Sequence, residues 1–298
     1  MFSQFFGSYL LDKELITAEQ LKEVLSVQDT TRLKLGVLAV NSGFMRAEDV
    51  ETVHARQTAV DKKFGELAIE MGYLTKYQLD VILATQKKEH LLMGQTLIDK
   101  GIMTLKKLQD TYENYKIDNR LTEEQFQALQ DNNVEKIVEA FIKFDAIEDS
   151  LFYKNYVVLF INNLVRFVCG GINIKGFRKA KNYFADRGVE QLITGEKGLF
   201  TSISMDEKSF IQFAEKYSKE QIESYDEMAI DCVCEFINLQ NGIFLVNNSD
   251  NGVELGMNPP AGRSGEKGAF VKDGYIITLE LDIGEIELVL APSMPLFK

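Results

Sequence analysis

The sequence predicts two domains: an all-α helical repeat at the N-terminus and an α+β domain after it. Three observations carry this. Gly7, Gly36, Gly65 and Gly94 are evenly spaced along the chain, and Gln28, Gln57 and Gln86 keep the same interval. From Phe152 onward, helices are joined by runs that alternate apolar and polar residues, the period of strands. A length of 298 residues is also enough for two cores of ordinary size.

Composition narrows the function. Apolar residues make up 45% and charged residues 26%, which are globular values and exclude wholesale disorder. Lys and Arg total 33 against 45 Asp and Glu, and a net charge of −12 argues against a nucleic-acid partner. Three cysteines (Cys169, Cys232, Cys234) and two histidines (His54, His90) are too little material for a zinc site or a His-based triad. No metal and no cofactor of its own is expected. The start, MFSQFFGSYLLDKEL, lacks a basic segment and meets Asp12 too early for a secretory signal. The run YVVLFINNLVRFVCGG is interrupted by Asn162, Asn163 and Arg166, short of the roughly 18 apolar residues that cross a bilayer. The expectation is a reduced, cytoplasmic protein with no membrane span.

Residues 1–120 recur as FGSYLLDKELITAEQLKEVLSVQ, LGVLAVNSGFMRAEDVETVHARQ, FGELAIEMGYLTKYQLDVILATQ and MGQTLIDKGIMTLKKLQDTYENY. A fixed period of this size predicts stacked supersecondary units. Each copy reads as two short helices. The first carries apolar residues such as Leu67 and Ile69. The turn falls on Gly43, Gly72 or Gly101, where glycine takes the left-handed conformation cheaply, and Glu14 replaces that glycine in the first copy. The second helix starts at a capping box, Thr17 with Gln20 or Thr75 with Gln78, and shows an apolar face of Leu79, Ile82 and Leu83 in the third copy.

These units resemble the MshEN domain, the N-terminal domain of type II secretion ATPases. That family carries two motifs of the form RLGxxLxxxGxLxxxxLxxxLxxQ joined by a short linker. Here Lys34 to Gln57 has the full length of one motif, Thr58 to Lys62 supplies the linker, and Lys63 to Gln86 has the length of a second. The resemblance implies cyclic di-GMP as a regulatory ligand, held by Lys34, Leu35, Gly36 and Gln57, then Lys63, Phe64, Gly65 and Gln86, with Arg32 available upstream. Lys stands where the family has Arg, and it lacks the planar fork that pairs with or stacks on a guanine. The alternative is that Gly, Leu and Gln only hold the helix pairs together.

LTEEQFQALQ (Leu121 to Gln130) has another capping box in Thr122 and Gln125, and residues 121–150 read as a helical cap and connector. The boundary is placed in the acidic stretch Asp145 to Ser150. Residues 151–298 form the second domain. A long helix from Tyr153 to Cys169 ends at Gly170-Gly171. INIK, VEQLITG and GLFTSIS read as strands, the last two joined by a tight turn at Glu196-Lys197. SMDEKSFIQFAEKY reads as a helix starting at Asp206. A further helix spans Ser224 to Asn241, GIFLV (Gly242 to Val246) follows as strand-like text, and YIITLELDIGEIELVLAPS closes the chain as two strands. Helices on one side of a largely antiparallel sheet is the expected layering.

On the Ser224–Asn241 helix, Ile230, Val233, Cys234 and Ile237 share one stripe, while Asp231, Glu235 and Asn238 share a second. With Pro259 and Pro260 downstream, Asp231-x₃-Glu235-x₂-Asn238 resembles the motif of the CheC/CheX/FliY phosphatases of chemotaxis, nearest to CheX. The resemblance covers residues 150–298 and implies dephosphorylation of a CheY-like response regulator. Asn238 would place the attacking water and Glu235 would pair with a lysine of the regulator, with Asp231 and Pro259 in support and Mg²⁺ on the regulator. The corresponding text on the preceding helix, Tyr156-x₃-Phe160-x₂-Asn163, lacks the Glu, so one site per chain is expected. A reading of another class is a non-catalytic adaptor or scaffold for a regulator or a pilus or secretion partner. Self-association as a homodimer is compatible with either.

Overall fold

A computed structural model describes residues 2–27, 33–57, 60, 62–83, 89–144, 150–183, 187–264, 269–294 and 296–297. The chain divides into two compact units, Phe2–Asn132 and Asn133–Lys298.

The first unit is built from helix pairs at the expected interval: α1 (Phe2–Asp12) with α2 (Ala18–Val27), α3 (Leu35–Asn41) with α4 (Ala47–Gln57), α5 (Phe64–Glu70) with α6 (Lys76–Leu83), and α7 (Glu89–Asp99) with α8 (Leu105–Asp118). Gly43, Gly72 and Gly101 have φ of 68°, 78° and 67°, and Glu14 takes the same left-handed conformation at 54°. The N–H of each reaches back three residues, to the carbonyls of Val40, Ile69, Ile98 and Leu11, closing the first helix of its pair. The second helices open on side-chain caps: Gln20 N–H donates to Thr17 Oγ1 at 3.2 Å, and Gln78 N–H to Thr75 Oγ1 at 3.2 Å.

The second set of glycines has a packing reason. A Cβ on Gly7, Gly65 or Gly94 would lie 2.9 Å from a methyl of Leu21, Leu79 or Leu108, and one on Gly36 would lie 2.6 Å from Val50. In each pair the partner sits on the second helix of the same repeat. The sequence period is therefore a period of close helix crossings. Leu67 and Ile82 are buried, while Leu83 is exposed instead of joining its expected apolar face.

The ninth helix, α9 (Glu123–Asp131), belongs with the repeats. Its Phe126 ring packs on Phe2, Tyr112 and Tyr115, with the Thr122–Gln125 capping box formed in both directions. By contrast α10 (Val134–Phe141) packs against α11 (Ser150–Phe167). The expected connector is thus split between the two units at Asn132, ahead of the 145–150 stretch, of which residues 145–149 lie outside the described residues.

The second unit continues with β1 (Ile172–Tyr183), β2 (Arg187–Gly195), β3 (Leu199–Met205), α12 (Glu207–Ser218), α13 (Glu227–Ser249), β4 (Leu255–Met257), β5 (Ala261–Ser264), β6 (Ala269–Leu281), β7 (Gly284–Ala291) and β8 (Leu296–Phe297). The strands pair antiparallel in the order β1-β6-β7-β3-β2-β4, with β5 on β2 and β8 on β6. Asp206 caps α12 by accepting the Ser209 N–H at 2.7 Å. The face of β3 opposite Thr201 is buried as well, around Phe200, Ile276, Val289 and Ala291.

GIFLV is not a strand; it is part of the last third of α13, which runs on past Asn241-Gly242 to Ser249. Phe244 falls on the buried stripe of the helix and packs on Phe152 at 4.9 Å and Tyr156 at 5.0 Å. That contact carries the helix through a dipeptide that elsewhere stops one. At 23 residues α13 is also long and apolar enough to cross a membrane, yet Val233, Phe236, Ile237 and Phe244 are buried inside the unit.

Two substitutions check the repeat geometry. Glu14→Gly removes a left-handed non-glycine residue and is expected to stabilise the chain by about 1 kcal/mol. Gly36→Ala is expected to destabilise it by about 1–3 kcal/mol, because overpacking against the stiff Val50 outweighs the gain in helix propensity. Urea midpoints moving in opposite directions are the readout; equal shifts would remove the crossing argument.

Candidate functional site on helix α13

The site begins with how α13 is set on the sheet. Asp226 caps it, accepting the Ala229 N–H at 3.0 Å, and that bond with the Ser224 hydroxyl holds the Asp226 carboxyl below the usual carboxylate range. Ala229, Val233, Phe236, Ile237, Gln240 and Asn241 face inward. Ile230 is half-buried against β5, where a Cβ on Gly262 would meet it at 2.4 Å. Asp231, Glu235 and Asn238 are all exposed, on the stripe that helical geometry assigns them.

Asn238 is nonetheless held. Its Oδ1 accepts a hydrogen bond from Gln191 Nε2 at 2.8 Å, and the same nitrogen donates to the Asn258 carbonyl at 2.7 Å. Gln191, on β2, therefore joins the candidate Asn to the segment that carries Pro259 and Pro260, whose own anchor is the Asn258 N–H on the Leu192 carbonyl at 2.9 Å. Behind Gln191 lies a buried chain. Asn241 Nδ2 donates to Gln191 Oε1 at 2.8 Å and to Thr201 Oγ1 at 3.0 Å; Thr201 donates to the Gln191 carbonyl at 3.1 Å; and the Tyr156 hydroxyl donates to Asn241 Oδ1 at 2.7 Å. Burial of Tyr156 raises its pKa, so the hydroxyl stays a donor.

Glu235, Asp231, Met228 and Cys232 line an open concavity that also takes in Glu220 and Glu227, so its walls are strongly acidic. Exposed Met228, Leu239 and Val246 run along the same face of the helix. The two cysteines flanking Glu235 are thiols at neutral pH: burial and then Asp231 push Cys234 up to about 11, and burial raises Cys232 as well. Neither is a ready nucleophile. Among the described residues no group of His, Cys, Asp and Glu is arranged to hold a metal ion. On α11, Tyr156, Phe160 and Asn163 are buried, with Asn163 donating to Gln240 Oε1 at 2.7 Å, so none of the three is exposed as Glu235 and Asn238 are.

In the first unit, Gly36 lies against Phe64, Leu35 lies against Gly65, and Phe64 is buried with its ring 4.9 Å from His54. Lys34 is tied to α7, its N–H on Gln95 Oε1 at 2.9 Å and its ammonium on Asp99 at 2.6 Å. Gln57 donates to the Lys62 carbonyl at 3.0 Å, and Lys63 is exposed at the start of α5. Arg32 and Gln86 lie outside the described residues. None of the described candidates lines the 230 Å³ cavity of this unit, which is bounded by residues such as Val37, His90, Tyr112 and Lys116.

The sequence proposes Asp231, Glu235, Asn238 and Pro259 as site residues and does not propose Gln191, which bonds to Asn238 and to the segment carrying Pro259. The only signal of Gln191 was a Glu-Gln pair inside the strand text VEQLITG.

No family model matches this chain, and no curated protein matches it. Among solved structures it is similar to chemotaxis protein CheX from Vibrio vulnificus at 17% identity and a TM-score of 0.42, over 48% of this chain and 99% of that one. A CheC-like superfamily protein from Shewanella sp. PV-4 shows 22% identity and a TM-score of 0.43, over 49% and 98%. The CheX–CheY–BeF₃–Mg complex from Borrelia burgdorferi shows 19% and 0.37, over 47% and 96%.

Tyr156→Phe leaves the buried Asn241 Oδ1 without its donor. A loss of about 1–3 kcal/mol in unfolding free energy is expected. An unchanged urea midpoint would show that the hydroxyl contributes nothing to the chain of amides.

Proposed function

We propose that the second unit dephosphorylates a CheY-type response regulator, with Asn238 and Glu235 as the working residues. The observation that carries this reading is the exposure of both side chains on one face of α13, with the Asn amide held in place from below by Gln191. An aspartyl phosphate is an acyl phosphate and already reactive, so the main need is to place one water in line with the leaving oxygen. The water oxygen bonds to phosphorus as the bond to the acyl oxygen breaks. The electron pair leaves on the carboxylate, and inorganic phosphate is released. Asn238 accepts a hydrogen bond from the water and donates one to the phosphoryl group. Glu235 pairs with a lysine on the regulator and sets the register. The acidic walls around it favour a cationic partner surface. Magnesium is expected on the regulator, not on this chain.

Exposed Met228, Leu239 and Val246 on the same face also suit a non-catalytic adaptor. Turnover separates the two readings. Asn238→Ala is expected to abolish the shortening of the phosphoregulator lifetime while leaving the fold intact, since an exposed side chain leaves no cavity. Glu235→Ala is expected to weaken binding of the phosphorylated regulator, by about 2 to 5 kcal/mol if the pair is buried on docking. Full activity in the first variant would remove Asn238 from the mechanism; unchanged affinity in the second would remove Glu235.

Regulation by cyclic di-GMP at the first unit is the second part of the proposal. It is supported by the repeat spacing and by Lys63, exposed at the start of α5 on an acidic chain; Lys34, at the start of α3, would have to exchange Asp99 for the ligand. Labelled nucleotide titrated against the full chain should bind, and Lys34→Arg with Lys63→Arg should tighten it by restoring planar, bidentate contacts. No binding by either protein would leave the repeats as a structural or docking module.

A further inference from the structure

The two ends of a carboxamide are told apart by the partners each can reach. The Asn258 carbonyl can only accept, and it lies 2.7 Å from one end of the Gln191 side chain. That end is therefore the NH₂. The other end, Oε1, faces Asn241 at 2.8 Å and requires Asn241 to present Nδ2, which also satisfies Thr201 at 3.0 Å. Asn241 Oδ1 then receives the Tyr156 hydroxyl at 2.7 Å. The second N–H of Gln191 meets Asn238 at 2.8 Å, and only Oδ1 of Asn238 can accept it. Turning Asn238 over would set two NH₂ groups against each other.

We infer that Gln191 is a positioning residue for Asn238, fixing the outer amide with Oδ1 turned inward and Nδ2 turned to the docked partner. The inference rests on the dephosphorylation reading only for its catalytic consequence. Toward a phosphoryl group Asn238 then acts as an N–H donor through Nδ2. The remaining lone pair of Oδ1 takes the hydrogen of the water. The bond from Gln191 polarises the amide, which strengthens the outward N–H as a donor. Because Gln191 holds Asn258 with the same nitrogen, the Pro259-Pro260 segment and Asn238 are set in register by one side chain.

Gln191→Met keeps the length and removes both donors together with the Oε1 that accepts from Asn241. In the full chain, turnover of the phosphoregulator should fall about 10- to 100-fold through misplacement of Asn238. KM should stay within about twofold, as expected for an interaction made in the transition state. A rise in KM without a fall in kcat would overturn the assignment. A second readout is independent of activity. The side-chain ¹⁵N–¹H₂ resonance of Asn238, identified by its loss in Asn238→Ala, should move in Gln191→Met; an unmoved resonance overturns the positioning role. A moved resonance in a protein whose Asn238→Ala variant keeps full activity supports the positioning and discards the phosphatase reading.

Discussion

A tyrosine hydroxyl and two carboxamides buried between α11, α13 and the β2–β3 hairpin must satisfy one another, because burial keeps bulk solvent from doing it. The free-energy penalty for leaving any of them unpaired is large relative to the worth of a single bond made. Tyr156, Asn241, Gln191 and Thr201 meet that demand with a complete donor–acceptor alternation. The alternation fixes where α13 sits along the sheet, since a shift of one residue would break several bonds together. The exposed stripe of the helix inherits its position from this buried one.

What was legible in the sequence was local. The glycine interval, the left-handed turn residues and the capping boxes are all set by residues within one repeat, so their spacing survives in the text. The stripe of Asp231, Glu235 and Asn238 follows from helical period alone. Gln191 did not show itself, because its partners lie 47 and 67 residues away and only the pairing of β2 with the α13–β5 region brings them together. GIFLV misled for a related reason. Its β-branched and aromatic composition reads as a strand, and tertiary contact of Phe244 with Phe152 and Tyr156 overrides that propensity.

The candidate positions of the first unit carry packing roles alongside any ligand role. Gly36 and Gly65 let helices close on Val50 and Leu79, and Gln57 ties the chain back to Lys62. A residue pattern that a ligand site would need is thus also one that a helix crossing needs.

The crossing geometry has a bearing on how such a chain tolerates insertions and deletions. Each glycine finds its partner half a period further on, inside its own helix pair, as Gly7 does in Leu21 and Gly94 in Leu108. Loss or gain of one residue between them would rotate the second helix by about 100° and swing the partner away. Loss or gain of a whole period would leave every surviving crossing intact. Chain length in this unit is therefore quantised, with copy number free to change where single-residue drift is not.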